Sequence, residues 1–357
     1  RRHTRSLCDW SSDVCSSDLD PKAIPWTHTT PLKCAMDAHF HHNLQPGDVV
    51  AWPTSLGWMM GPWLIFAALW NRATIALYDG APTEAGFGQF VQATRVTLLG
   101  TVPSLVKTWR SSGVMDPFDW SAIKAFSSTG ECSNADDMAW LMARGGHKPI
   151  IEYCGGTEIG GGYITGTLVQ PARPATFSTP ALGLDFVILD DEGREADFGE
   201  AFLIPPSIGL STELLNADHY QVYEADVPRA GLRRHGDQLE RLPDGYYRAH
   251  GRQDDTMKLG GIKVSSVEIE RVLQTLPGVV ETAAIAVPPP GGGPHQLVIY
   301  AVASPRLDWP AAMQAAIKEQ LNPLFKIHDV VLTAHLPRTA SNKVMRRVLR
   351  DQYQAKP

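Results

Sequence analysis

The stretch "YYRAHGRQDDTMKLGGIKVSS", residues 246–266, separates two differently patterned parts of the chain. Before it, short apolar runs such as "IKAFSSTGE" (123–131) and "PIIEYCGGTE" (149–158) stop abruptly in Gly, Ser or Thr, which is typical of buried strands that lead into loops. After it, "SSVEIERVLQTL" (265–276) has a Ser cap and apolar residues at helical spacing, and strand-like and helix-like segments follow. The pattern predicts a large N-terminal α/β domain followed by a small α+β C-terminal domain.

The domain boundaries follow from the same change in pattern. From about residue 170 to 250, Pro, Gly and short apolar runs such as "LDFVILDDEG" (184–193) predict a β-rich layer within the large domain. We therefore expect the large domain to occupy residues 20–251 and the small domain residues 252–357. Ligands of open α/β sheets bind outside the carboxyl ends of the strands, so the Gly-, Ser- and Thr-rich loops are candidate binding elements.

The first nineteen residues, "RRHTRSLCDWSSDVCSSDL", have neither apolar periodicity nor the apolar centre of a signal peptide. Their second half, read back into codons, matches a common sequencing-library adapter, so we expect residues 1–19 to be a non-native artefact. The genuine chain is then expected to start near Asp20 without its true N-terminus. Without Cys8 and Cys15, the remaining cysteines are widely spaced, which indicates reduced thiols in a cytoplasmic compartment.

The chain nearly ends in a basic run, "NKVMRRVLR" (342–350), although its formal net charge is -6. Such a run is typical of a solvated helix face, but it could also bind a nucleic acid, a membrane or one phosphate. An acidic chain disfavours a duplex binder, whose affinity depends on releasing counterions from phosphates. No apolar stretch approaches the ~20 residues that a membrane span needs. The solvated face and a small anionic ligand remain.

Five motifs follow one another along the chain. They are "FSSTGE" (126–131), "YCGGTEIGG" (153–161), "RRHGD" (233–237), "GRQDDTMKLGGIK" (251–263) and "PRTASNKVMRR" (337–347). Each motif alone can be a turn or a charged loop. In this order they resemble the adenylate-forming superfamily of acyl-CoA synthetases, nonribosomal-peptide adenylation domains and luciferases, from residue 20 to the end. The third and fourth motifs look most like the acetyl-CoA-synthetase-related branch, which includes plant peroxisomal acyl-activating enzymes.

The resemblance implies an ATP-dependent acyl-CoA synthetase, which joins a small carboxylic acid to the α-phosphate of ATP and then passes the acyl group to coenzyme A. Charge develops on the phosphorus, so such a site offers cations, Mg2+ and hydroxyl donors. By resemblance, Thr157 donates to the α-phosphate, Glu158 holds Mg2+, and Lys343 bridges the carboxylate and the phosphate. The other cations of the basic run are then expected to be ordinary surface charges: Arg346, Arg347 and Arg350.

The same resemblance assigns the nucleotide and coenzyme A contacts. Asp237 is expected to accept both ribose hydroxyls, Arg252 to reach the ribose or a phosphate, and Lys263 is a weaker candidate. The residues expected to line the adenine are Gly130, Glu131 and Cys132 on one side, and the backbone of Glu152, Tyr153, Cys154, Gly155 and Gly156 on the other. Asp254 matches the hinge of the mobile small domain. Gly260 and Gly261 are expected to leave room for the pantetheine arm of coenzyme A.

The chain departs from the family pattern in three places. Asn342 stands where the lysine loop usually has Gly, and Asn tolerates positive φ better than most residues. Cys154 stands where an aromatic residue usually stacks on adenine. Pro21 and Lys22 match only the end of the family's phosphate loop, and the loop and the sheet before it are missing. The chain as given is therefore expected to be inactive.

One position bears on the size of the acid. Gly155 stands where short-chain acetyl-CoA synthetases carry a Trp that closes the acyl pocket, which predicts a medium-length or aryl acid unless Trp58 or Trp63 refills the space. Two alternative functions stay open: an adenylation enzyme that loads a carrier protein, and a non-catalytic nucleotide-binding protein. The sequence leaves open the acid, the oligomeric state and a peroxisomal location.

Two other segments carry weaker signals. The histidines of "HFHH" (39–42) lack the i, i+4 pairing that helical zinc sites favour, so we expect no metal there. The Trp and Met residues of "GWMMGPW" (57–63) are expected to be core or a wall of the acyl pocket. A Ser-His-Asp hydrolase is not supported, because the sequence has no G-x-S-x-G motif.

Overall fold

The fold is known from a computed structural model, which describes residues 22–253, 256–259, 262–289, 295–305, 308–338 and 344–355. Internal contacts divide the chain into two compact units, the first ending at Ala249 and the second beginning at His250. The expected domain boundary, between residues 251 and 252, falls in the strand that spans this division. None of the helices formed by the described residues has the length and apolarity of a membrane span.

The first unit contains a seven-stranded sheet with helices packed against it, as far as the structure describes the chain. Its helices are α1 (Thr30–Phe40), α2 (Met60–Trp70), α3 (Ala85–Ala93), α4 (Pro103–Ser112) and α5 (Ala135–Arg144). Its strands are β1 (Val49–Ala51), β2 (Thr74–Ile75), β3 (Leu98–Thr101), β4 (Ala125–Ser128), β5 (Ile150–Gly156), β6 (Gly161–Thr165) and β7 (Thr179–Pro180). The spatial order is β2-β1-β3-β4-β5-β6-β7, and the pairing is parallel from β2 to β5 and antiparallel beyond.

Successive residues of the parallel strands point to opposite faces of the sheet, and each face has its own apolar core. Leu98 packs with α1 and α2 on one face, whereas Leu99 packs with α3, α4 and α5 on the other. The strands therefore read as continuous apolar runs, because both faces are covered. This is the doubly covered α/β layer that the sequence predicts.

Local signals define the helices nearest the candidate site. Asn134 caps α5 by accepting hydrogen bonds from the backbone N–H groups of Asp136 and Asp137, whose own carboxylates favour the positive end of the helix dipole. α4 begins with Pro103, which needs no N–H partner in the first turn, and ends at Gly113 in the left-handed region. These signals set where α4 begins and ends and where α5 begins, directly after the loop that follows β4.

The β-rich layer of the first unit is a second, antiparallel sheet. It consists of β8 (Asp185–Leu189), β9 (Phe198–Ile204), β10 (Arg233–Arg241) and β11 (Tyr247–Arg252), in the order β11-β10-β9-β8, and the short helix α6 (His219–Tyr223) precedes β10. Side chains of β8, β9 and β10 form a core with Ile159, Tyr163 and Ile164, which lie on β6 or just before it. The two sheets therefore share buried residues, and this packing brings β10 close to β5 and β6.

The second unit is the predicted α+β domain. Its elements are β12 (Thr256–Leu259), β13 (Ile262–Ser265), α7 (Ser266–Leu273), β14 (Val279–Val287), β15 (Gln296–Ala303), α8 (Trp309–Gln320), β16 (Ile327–Leu332) and α9 (Arg346–Gln354). β12 and β13 form a hairpin, and β14, β15 and β16 form a sheet covered by α7 and α8 on one face and by α9 on the other. Ser265 and Glu268 complete a capping box at the start of α7, as "SSVE" predicts.

One expectation about the basic run is wrong. Arg346 is not an ordinary surface charge, because its guanidinium donates to both carboxylate oxygens of Glu270 on α7, at 2.9 Å each. Glu270 also accepts the backbone N–H of Ala284 at 2.8 Å. The side chains of this pair are only 14% and 10% exposed, so it links α9 to α7 and β14 from a largely buried position.

Candidate active site

The loops that the sequence singles out lie together at one edge of the seven-stranded sheet. β4 and β5 are parallel neighbours, with Ser128 paired to Glu152. Their carboxyl ends therefore face the same way, and residues 129–132 lie next to the turn that carries Thr157 and Glu158. This is the position at which ligands of such sheets bind.

The turn after β5 is fixed from two directions. The indole N–H of Trp26 donates to the Thr157 carbonyl at 2.9 Å, and the backbone N–H of Ser211 donates to the Glu158 carbonyl at 2.7 Å. The backbone N–H of Ile159 closes the turn by donating to the carbonyl of Gly156 at 3.0 Å. Since their carbonyls are occupied in this way, Thr157 and Glu158 are held in a defined position before any ligand binds.

Glu158 is a buried carboxylate with positive charge around it. Burial by itself would raise its pKa, but the charges of His235, Arg233 and Lys22, with a hydrogen bond from its own backbone N–H, bring the pKa below its ordinary value. Glu158 is therefore ionised at neutral pH. An ionised carboxylate is an oxygen ligand of the kind that Mg2+ prefers.

Asp237 accepts contacts from three side chains on one oxygen. Its Oδ2 atom accepts the Tyr163 hydroxyl at 2.9 Å and the Cys154 thiol at 3.2 Å, and it lies 3.1 Å from Nε2 of His235. Asp237 is buried, and all of these partners belong to β5, β6 or β10. The predicted ribose acceptor is thus a carboxylate of fixed orientation.

His235 lies between the two acidic residues of the site. Its Nδ1 atom is 3.7 Å from Oε1 of Glu158, while its Nε2 atom faces Asp237. The Tyr163 ring packs on the imidazole with a centroid distance of 4.6 Å. The side chain is 2% exposed, so a bulky substitution here would displace both carboxylates.

The two residues before the glycines of "YCGGTE" point in opposite directions. Cys154 points toward Asp237, and burial, followed by the charge of that carboxylate, raises the pKa of its thiol well above the ordinary value. Tyr153 points into the core, where its hydroxyl donates to Asp37 at 2.7 Å and accepts the indole N–H of Trp63 at 3.1 Å. Alternation along β5 therefore prevents the Tyr153 ring from replacing the missing adenine-stacking aromatic.

The Glu152 side chain is a further polar group at this edge. Its carboxyl is fully buried, and its Oε2 atom accepts the Ser133 hydroxyl at 2.8 Å. Burial raises the pKa of Glu152 to about 7, and the hydrogen bonds from Ser133 and Ser128 only partly oppose this. The carboxyl links the loop after β4 to β5.

The loop after β4 holds the other expected adenine-lining residues. Gly130 adopts the left-handed φ of 91°, which a turn at this point requires. The Glu131 carboxylate caps α4 by accepting the backbone N–H of Ser104 at 2.9 Å, and Cys132 is half-buried. The Glu131 side chain therefore has a structural partner, and its backbone is what remains for a ligand.

The expectation that Gly155 opens an acyl pocket needs correction. A Cβ atom placed on Gly155 would lie 1.8 Å from the carbonyl oxygen of Gly161 and 2.7 Å from the Cα of Gly162. The space beside Gly155 is therefore filled by the backbone of β6 and is not an open volume. A Trp at this position would have to move the β5–β6 hairpin.

The apolar and histidine-rich segments have structural roles. Met59, Met60 and Trp63 are buried in the core around α1 and α2, which confirms the core interpretation of "GWMMGPW". The backbone N–H of Leu182 donates to Nε2 of His41, whose Nδ1 then donates to the carbonyl of Gly166. The rings of Trp63 and Tyr153 pack edge-on against His42. These histidines stabilise the fold.

Several predicted site residues belong to the second unit. Arg252 ends β11 and is half-buried, and Lys263 lies on β13, although its side chain is outside what the structure describes. The remaining ones lie outside the described residues altogether: Asp254, Gly260, Gly261 and Lys343. Their proposed roles stay predictions.

Two site residues were missed at the level of the sequence. "RRHGD" predicts only Asp237 as a site residue, and the structure adds His235, which lies in a β-bulge of β10 between Arg234 and Gln238. Tyr163 is separated from Asp237 by 74 residues, and only the packing of β6 against β10 brings them together. The closeness of His235 to Asp237 in the sequence was a usable signal, whereas nothing in the sequence linked Tyr163 to Asp237.

The sequence of this chain matches the models of two protein families. The AMP-binding enzyme family matches residues 20–201, and the AMP-binding enzyme C-terminal domain matches residues 268–343. The fold and site therefore define the class, and this chain belongs to the AMP-binding enzyme family.

Three similar proteins illustrate the match. The probable acyl-activating enzyme 17, peroxisomal, of Arabidopsis thaliana is 54% identical over 93% of this chain and 48% of its own length. Hexanoyl-CoA synthase of Cannabis sativa is 49% identical over 94% of this chain and 49% of its own length. The acetoacetyl-CoA synthetase structure from Streptomyces lividans superposes with a TM-score of 0.82 at 25% identity, over 96% of this chain and 55% of that one. The chain spans about half the length of the curated relatives it matches.

Proposed function

We propose that this protein is an ATP-dependent, AMP-forming acyl-CoA synthetase. It converts a carboxylic acid, ATP and coenzyme A into acyl-CoA, AMP and pyrophosphate through an acyl-adenylate. The observation that carries the proposal is the meeting of Glu158 and Asp237 around His235 at the carboxyl edge of the sheet, with Thr157 directly before Glu158 in the turn after β5. These are the groups that the family resemblance assigns to the α-phosphate, the metal and the ribose.

The residues of the first unit account for nucleotide binding. Asp237, oriented by its three partners, accepts the ribose hydroxyls. Thr157 donates to the α-phosphate, and the ionised Glu158 supplies an oxygen ligand for Mg2+, which would offset the phosphate charge. Backbone groups of residues 130–132 and 152–156 line the adenine.

Lys343 supplies the charge for adenylation, and the glycines at 260 and 261 admit coenzyme A afterwards. Arg252 and Lys263 assist nucleotide binding, and Asp254 serves as the hinge. An ammonium group on a flexible stem can stabilise the developing charge and then withdraw with its domain. These assignments rest on the family resemblance.

A medium-length acid is the proposed substrate, and an aryl acid is the second candidate. The support is a hexanoyl-CoA synthase that is 49% identical to this chain. Gly155 gives no support, because the space beside it is filled by the backbone of β6. Two relatives are named as peroxisomal, so we propose a cytoplasmic or peroxisomal location. Coenzyme A is favoured over a carrier protein as the acceptor, because the relatives at 54% and 49% identity are an acyl-activating enzyme and a CoA synthase.

The test uses the complete open reading frame that contains this sequence. Acid-dependent exchange of pyrophosphate into ATP is measured with acids from acetate to decanoate and with benzoate, and thioester formation is then measured with coenzyme A and with a phosphopantetheinyl carrier protein. We expect exchange to be strongest near six carbons and thioester to form on coenzyme A. Thioester on the carrier alone would establish the carrier-loading alternative, and nucleotide binding without any exchange would establish the non-catalytic one.

A further inference from the structure

Cys154, His235 and Asp237 form a compact group of side chains of metal-ligand type. Their Sγ, ring nitrogen and carboxylate oxygen atoms all lie within 4.8 Å of one another. The sulfur and the Nε2 atom are 3.2 and 3.1 Å from the same carboxylate oxygen. The group joins β5 to β10, and His235 and Asp237 are buried while Cys154 is half-buried.

These separations suit a single tetrahedral ion. Zinc binds sulfur at about 2.3 Å and nitrogen or oxygen at about 2.0–2.2 Å, which places neighbouring ligand atoms roughly 3.3–3.8 Å apart. The two measured separations are a few tenths of an ångström shorter than this range. Small side-chain rotations would therefore admit an ion, without movement of either strand.

The imidazole of His235 lies between this group and a second carboxylate. Nε2 of His235 faces the group, while Nδ1 faces the Glu158 carboxylate at 3.7 Å. In many metal sites a carboxylate accepts the second ring N–H of a ligating histidine and fixes the ring orientation, and Glu158 lies just beyond hydrogen-bond distance for this role. The Tyr163 ring packs on the imidazole, and the Tyr163 hydroxyl orients the Asp237 carboxylate.

We propose that Cys154, His235 and Asp237 bind a thiophilic divalent cation such as Zn2+, and that this cation competes with the nucleotide. On binding, the Cys154 thiol releases its proton to solvent, and one thiolate and one carboxylate neutralise the 2+ charge. Mg2+ does not fill the site, because it is a hard cation that prefers oxygen ligands. The competition rests on the proposed function, since Asp237 is there the acceptor of the ribose hydroxyls.

The experiment measures Zn2+ binding directly by calorimetry on untagged, metal-free protein. The protein is produced from the complete open reading frame that contains this sequence. Cys154→Ser is expected to weaken Zn2+ binding by at least about tenfold, whereas Cys34→Ser, which alters a buried thiol on α1 outside this group, leaves it unchanged. Co2+ absorption provides a second readout, because the thiolate charge-transfer band should disappear in Cys154→Ser alone.

His235→Gln is the second variant and should also weaken Zn2+ binding. Saturating AMP should lower the apparent Zn2+ affinity of the unsubstituted protein, and Zn2+ should lower the AMP affinity by the same factor. Equal Zn2+ affinity with and without Cys154 would overturn the site, and Zn2+ binding indifferent to bound AMP would overturn the competition. Failure of metal-free protein to bind AMP would contradict the proposed function, while the cysteine comparison would still decide the metal site.

Discussion

His235 and Asp237 lie on the same face of β10, and Nε2 of the imidazole is 3.1 Å from Oδ2 of the carboxylate. The same imidazole faces Glu158 with its other nitrogen at 3.7 Å. One side chain is therefore adjacent to both the proposed ribose acceptor and the proposed metal ligand. A change at His235 should affect nucleotide binding before it affects the chemistry of the acid.

His235→Phe should weaken AMP binding by about tenfold, which is ~1.4 kcal/mol and near the lower end of the range for a hydrogen bond to a charged group. Phe keeps the ring that packs on Tyr163 but removes both nitrogen atoms. The dissociation constant is measured by calorimetry. The matched control is His147→Asn, at an exposed position with left-handed φ that Asn tolerates, and it should bind AMP normally. An unchanged affinity in His235→Phe would remove His235 from the nucleotide site.

The fold was largely predictable from the sequence, because its signals are local. Apolar runs that end in Gly, Ser or Thr located β4 and β5, and a Ser cap followed by Glu located α7. The site was only partly predictable. The contact of Tyr163 with Asp237 depends on how two sheets pack, and the space beside Gly155 depends on the backbone of β6. Neither leaves a periodic signal in the chain.

The ion pair between Lys33 and Asp37 is fully buried, with 2.6 Å between Nζ and Oδ1. Asp37 also accepts the Tyr153 hydroxyl at 2.7 Å and the backbone N–H of Gly162 at 2.9 Å, and thereby connects α1 to β5 and β6. Asp37→Asn would leave a buried ammonium without its counter-charge. We expect the free energy of unfolding to fall by about 3–5 kcal/mol, measured by urea denaturation.

Two comparisons separate charge from packing at this pair. The double variant Lys33→Met, Asp37→Leu removes both charges and should recover part of the lost stability. Arg110→Ala breaks the ion pair between Arg110 and Asp137, in which the arginine side chain is 43% exposed. This substitution should lower the free energy of unfolding by about 1 kcal/mol or less. If Asp37→Asn were no more costly than Arg110→Ala, the buried pair would not be a determinant of stability.

Glu152 should make stability depend on pH. Its pKa is raised from 4.5 to about 7 in the folded state, so the folded protein binds more protons than the unfolded chain between these values. The contribution is therefore fully present below pH 4.5 and is lost as the pH rises toward 7, by about 3 kcal/mol at most. Glu152→Gln, which stays neutral, should remove this fall.

The unsubstituted protein must be compared with Glu152→Gln, because His42 changes the stability with pH in the opposite direction. Burial lowers the pKa of His42 from 6.5 to about 3, so its neutral form is favoured and the corresponding stability is lost as the pH falls below 6.5. Denaturant midpoints of both proteins are measured from pH 4.5 to 8. The difference between them should grow in favour of Glu152→Gln as the pH rises. Parallel curves would mean that Glu152 is ionised throughout this range.

Lys343 is proposed to act in adenylation and Gly261 in thioester formation, so substitutions at these two positions should affect different half-reactions. Lys343→Ala should slow acyl-adenylate formation by about a hundredfold or more, because it removes charge stabilisation of the transition state, and should spare thioester formation from pre-made acyl-adenylate. Gly261→Leu should do the reverse, since its side chain would obstruct the pantetheine arm. Both rates are measured separately in the complete open reading frame, with the exposed Lys326→Ala as the control of equal charge change. Equal losses in both steps for Lys343→Ala, or normal thioester formation by Gly261→Leu, would contradict the assignment of that residue.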